Sequence, residues 1–221
     1  MITATSATSP QSSAGGRLLA CVAKRGSGSN PYFASAELLT GPDSNRNLAD
    51  AVHFLCAVHG RYPGVVDLAA TRSAGAQPWL GRTARAFSAE RAFVARLAVE
   101  AGPLPPTPGA AGAEGALLSQ RRALDMLAQS EREGCALGAA LALIADWGRI
   151  RLVLNTAASR FGTAAPTSQL IDEDAIAAIA DEAGASPLVE RAMLFGAEQI
   201  MLQHHGLWDL LEARQLARSA R

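Results

Sequence analysis

The chain has 221 residues, with 20 basic and 20 acidic side chains and 49% hydrophobic residues. That length can bury a full core without disulfides or a structural metal, and the balanced charge argues against an electrostatic binder of nucleic acid or of membrane surfaces. Alanine and leucine dominate, arginine supplies all the basic side chains but Lys24, and no stretch alternates as a strand, so the composition points to helix.

Residues 1–16, rich in Ser, Thr, Ala and Gly, read as a disordered tail ahead of a single all-α domain over residues 17–221. They lack the basic start and sustained apolar run of a signal peptide. Leu18-Leu19-Ala20-Cys21 spells a lipoprotein cleavage box, but no apolar segment precedes it, so a packed turn of helix is expected. Cys21, Cys56 and Cys135 are widely separated and form no C-x-x-C. They read as inert thiols in a reducing, cytoplasmic setting.

Residues 26–31 read as loop, with a lone G-x-G that follows no strand. Asp43, Ser44 and Asn45 offer caps for a helix over residues 48–59, closed by Gly60. Pro63 suits the first position of a shorter helix through Val65, Val66 and Leu68. Pro78 opens a long helix over residues 79–100, and the proline-rich run 102–109 ends it as a stiff crossover.

Residues 119–162 contain no proline, and 135–145 (CALGAALALIA) are apolar on every side, the mark of a buried helix. The apolar run stops at Asp146, short of the roughly 18–20 residues of a membrane span. As one helix the stretch would be on the order of 60 Å long, so a break is expected near Glu133-Gly134. Gly134 and Gly138 form a G-x-x-x-G that reads as close helix packing. After a connection over 163–171, Asp172 caps a short helix with Ile176 and Ile179 inward, stopped by Gly184. Ser186-Pro187 starts the last helix, running to about Arg214, with Val189, Met193, Ile200, Leu207 and Leu211 on one stripe.

Four polar residues interrupt these apolar faces. Glu90 falls among Phe87, Val94 and Leu97, Asp146 beside Leu143 and Ile150, His204 between Ile200 and Leu207, and His59 after Val52 and Leu55. A buried charge needs a partner. If Glu90, Asp146, His204 and His59 converge, they form a carboxylate/imidazole site for iron, manganese or zinc, as in a ferritin-like metal-binding protein or a metal-dependent oxidoreductase. The two Glu-x-x-His pairs of ferritin-like di-iron bundles are missing, since Phe93 follows Glu90 at that spacing and Met201 follows Glu198. If instead they scatter, Glu90 and Asp146 pair with arginines such as Arg122, Arg149 or Arg151, no cofactor is implied, and His204 is a satisfied core histidine. Of the adjacent His204 and His205, one should face in and the other out.

Residues 179–191 (IADEAGASPLVER) resemble the helix-turn-helix of bacterial repressors, with Gly184 as a left-handed cap. The second helix turns too apolar at Met193-Leu194-Phe195 to lie in a DNA groove, so a plain helical corner is the better account. The segments QRRALDMLAQSEREGCALGAALALIADW (120–147) and LQHHGLWDLLEAR (202–214) resemble an uncharacterised family of all-helical alphaproteobacterial proteins, from about Asn47 to the C-terminus. That resemblance implies a helical fold and adds no function.

The expected fold is all-α, about four long helices with shorter ones packed around a buried central helix. The expected function is a non-catalytic interaction or regulatory protein in the cytoplasm, whose partner is another protein or a second copy, with neither membrane nor nucleic acid. Metal binding and helix-turn-helix DNA binding are the alternatives.

Overall fold

A computed structural model describes residues 13–72 and 78–220, and among them the chain is all α with no strand. Its axis is α7 (Cys135–Phe161), against which most of the other described helices pack. Gly134 opens α7 at φ +89° and Gly162 closes it at φ +72°, the left-handed region that only glycine enters without strain. The break expected at Glu133-Gly134 is therefore real: α6 (Ala110–Ala128) ends before it, and starts nine residues ahead of Ser119. Leu141, Leu143, Ile150 and Leu154 are all fully buried. Leu141→Ala should cost about 2–5 kcal/mol in urea unfolding; a loss below about 0.5 kcal/mol would put α7 at the surface.

α9 (Pro187–Ser219) lies along α7. A Cβ on Gly138 would stand 2.0 Å from the Met193 carbonyl oxygen, and one on Gly196 would stand 2.1 Å from that of Cys135. The two backbones thus touch at facing glycines, as the G-x-x-x-G reading anticipated. α9 runs past the expected end at Arg214 because Arg214 and Arg218 reach buried Asp50 of α3 (Ser44–His59). Arg214 also donates to the Pro105 carbonyl (3.2 Å) and Arg218 to Thr107 Oγ1 (2.7 Å), both in the crossover between α5 (Pro78–Glu100) and α6. His53 Nε2–H donates to the Gly102 carbonyl at the start of that crossover.

Several local expectations are corrected. Residues 14–16 are not tail: they open α1 (Ala14–Arg25), capped by Ser13, and Gly15 N–H donates to Asp181 of α8 (Glu173–Ala183). Residues 1–12 lie outside the described residues. The loop after α1 folds into two 3-10 turns, Ser27–Ser29 and Pro31–Ala34, followed by α2 (Ala36–Leu39). Pro63 stands before α4 (Val65–Arg72) and not within it, since Asp67 accepts from Gly64 N–H at the helix start. Gly184 has φ −83° and is no left-handed cap; it is small because Ala14 Cβ would lie 2.7 Å from a Cβ there. None of the described helices is long and apolar enough to cross a membrane.

Candidate functional site

Asp146 sits mid-helix on α7 and is 1% exposed. The helix turns it toward the first 3-10 turn, where Ser27 N–H (2.9 Å) and Ser27 Oγ–H (2.6 Å) both donate to its carboxylate. Gly26 leaves that space, because a Cβ there would be 2.5 Å from Asp146 Oδ1. From α9, His204 Nδ1 lies 2.5 Å from Asp146 Oδ2, and a carboxylate only accepts, so Nδ1 carries the proton. His204 Nε2 then faces His59 Nε2 of α3 at 3.1 Å, with one proton between the two rings. The result is a buried hydrogen-bonded line from Ser27 through Asp146 and His204 to His59. His59 ends it at a cavity of about 20 Å³, the size of one water, shared with Arg121 and Asp125.

Burial holds the His59 pKa well below its ordinary value, and the neighbouring His204 and Arg91 push it the same way. The unfolded chain takes up that proton near pH 6.5 and the folded chain does not. His59 therefore adds to stability above about pH 6.5, and that contribution is lost as pH falls below it, at up to about 1.4 kcal/mol per pH unit. Melting curves between pH 7.5 and 5 should separate wild type from His59→Gln, with wild type falling more steeply. Parallel curves would remove His59 as the cause.

Glu90 belongs to a different cluster. It accepts from Trp147 Nε1–H (3.0 Å) and Arg151 Nη1–H (3.1 Å), while the Arg151 guanidinium lies 4.6 Å from the Phe93 ring centre and also bonds the Pro166 carbonyl. Trp147 separates the two clusters, its ring edge-on to His59 at 5.4 Å. The four residues singled out by their placement on apolar faces are thus all buried, but only Asp146, His204 and His59 come together. Asp146 takes a serine and a histidine in place of an arginine. Glu90→Gln should cost about 1–3 kcal/mol, because Arg151 loses its counter-charge. That cost should be the same with and without added metal.

The imidazole pair is the one place in this network where a metal could be held. Two nitrogens 3.1 Å apart are close to the separation that two zinc ligands at about 2.0–2.1 Å subtend, and Asp146 behind His204 is the usual orienting carboxylate. Among the described residues, however, no group of three or more His, Cys, Asp or Glu is arranged to hold a metal ion. Cys21 and Cys56 are free thiols whose pKa values are raised by burial, which makes them poor nucleophiles. His205 faces outward, as expected of the pair.

The second feature is a surface. Phe195 projects from α9 with the Arg132 guanidinium 5.7 Å from its ring centre. A cleft of about 470 Å³ lies on one side, walled by Leu188, Val189 and Ala192. Another of about 330 Å³ lies on the other, walled by Met126, Leu127 and Gln199. Met126 is 76% exposed and Leu188 70%. At the helical corner, Arg17 of α1 pairs with Glu190, so the start of α9 is braced by α1 on one side and leaves Leu188 and Arg191 outward.

No curated protein and no solved structure matches the chain significantly. One family model does, over residues 22–219. It reaches well upstream of Asn47, where the resemblance was expected to begin, and so takes in Ser27 as well as Asp146, His204 and His59. Both the buried line and the Phe195 surface fall within that span, and the chain belongs to the family of unknown function DUF6975.

Proposed function

We propose that this is a non-catalytic, cytoplasmic interaction protein whose binding face is the outer side of α6 and α9 around Phe195. The observation that carries the reading is the exposed apolar group Met126, Leu188 and Phe195, set between two clefts with Arg132 stacked on the central ring. Contiguous exposed apolar surface with a cationic rim is what a protein-binding site needs and what an isolated monomer avoids. The buried polar line supports this reading from the other side, because its groups are satisfied internally and hold helices in place. A photo-crosslinking residue at position 126, expressed in the native host, should trap one predominant protein adduct that Phe195→Glu abolishes. No adduct, or one indifferent to Phe195→Glu, would defeat the reading.

A second reading is favoured by the convergence of Asp146, His204 and His59: a divalent metal, zinc before iron or manganese, held between the two Nε2 atoms. Protein purified without an affinity tag should then contain metal, and chelator should lower its melting temperature in wild type but not in His59→Gln. The DNA-binding alternative draws less support, since the outward start of α9 presents Leu188 as well as Arg191.

A further inference from the structure

α9 carries a second apolar pattern, on the side away from α7. Leu188, Phe195, Leu202 and Leu216 are all exposed, between 42% and 70%, and all fall on one seven-residue repeat whose remaining position is Asp209. A repeat of seven is the period at which a seam stays in line along a helix that packs on another helix. The five positions of this repeat are symmetric about Leu202, which sets Leu188 opposite Leu216 and Phe195 opposite Asp209 when the helix is turned end for end. The exposed acidic side chains Asp209, which also accepts from Asn30, and Glu212 lie toward the C-terminal end of this helix, while Arg191 and Arg132 lie at the other end around Phe195, with Glu133 beside them and Glu190 paired to Arg17.

We infer that α9 pairs antiparallel with α9 of a second copy of this chain, with the twofold axis through Leu202. This rests on the binding face proposed above and names its occupant. In that register Leu188 meets Leu216 of the partner subunit, and Phe195 with its stacked Arg132 meets Asp209 of the partner subunit. Arg191 comes within one residue of the partner subunit's Glu212. A parallel pairing would set Asp209 against Asp209 and Arg191 against Arg191, so the charges select the antiparallel one. A twofold contact needs one self-complementary patch, and this face, turned end for end about Leu202, sets leucine on leucine at the axis and at both ends and brings Arg132 and Arg191 to Asp209 and Glu212.

Sedimentation of the full chain should give twice the 22.9 kDa of one copy. Leu202→Glu places two like charges at the axis and should weaken association at least tenfold, with the melting temperature of the single copy retained because Leu202 faces away from the core. Arg191→Glu should weaken association several-fold, and so should Glu212→Arg. The two together should restore it, which fixes the register as well as the surface. A single-copy mass for wild type, a dimer indifferent to Leu202→Glu, or a double reversal no better than either single change would each overturn the pairing. A single-copy mass with a different protein trapped at position 126 overturns the dimer and leaves the binding face standing; a single-copy mass with nothing trapped overturns both.

Discussion

Asp146→Ala is expected to lower stability by about 3–5 kcal/mol, the loss seen when one partner of a buried charged network is removed. The carboxylate accepts from Ser27 twice and from His204 once. Alanine would leave the Ser27 amide, the Ser27 hydroxyl and the His204 Nδ1–H without acceptors at fully buried positions, each at about 1–3 kcal/mol before relaxation. Asp146→Asn should cost less, since an amide oxygen still accepts from Ser27. Urea unfolding of the three proteins gives the order directly. A loss below about 1 kcal/mol for alanine would mean that water enters and replaces the carboxylate, and that the first 3-10 turn does not depend on it.

Gly138→Ala is expected to cost about 3 kcal/mol or more, from one added methyl group. That methyl would stand 2.0 Å from the Met193 carbonyl oxygen and 2.6 Å from its Cα. These are backbone atoms of a 33-residue helix, so no side-chain rotation relieves the clash and α7 and α9 must move apart. Gly148, three turns further along α7, has nothing within 4 Å of its added Cβ. There the same substitution should stabilise by about 0.4–1 kcal/mol through helix propensity and reduced freedom of the unfolded chain. Thermal melts of the two variants should therefore move in opposite directions. A tolerated alanine at position 138 would show that the crossing of α7 and α9 is looser than the glycine contacts require.

The helices were legible because their signals are local. The apolar run 135–145, Gly162, Asp172, Pro78 and the proline-rich crossover each act within a turn of their own position. The inward polar residues could be found as well, since Glu90, Asp146, His59 and His204 interrupt apolar stripes. Their partners could not. Ser27 lies 119 residues from Asp146 in a loop with no chemical signature, and only the folded chain brings them together. Gly184 misled for a related reason: a glycine at a helix end suggests a left-handed cap, whereas here it yields to the approach of Ala14 from α1. The outward repeat on α9 was visible in the residues but masked by the stronger inward stripe.

The arginines at the end of α9 have one further consequence. Arg214 and Arg218 join Asp50 of α3, Thr107 and Pro105 of the crossover and Asn47 in one hydrogen-bonded cluster. The crossover between α5 and α6, whose composition would suit a loose strap, is thereby clipped to the far end of the chain. Transient opening of the last turns of α9 must release the crossover with it, so these two segments, more than 100 residues apart, belong to one cooperative unit of local unfolding.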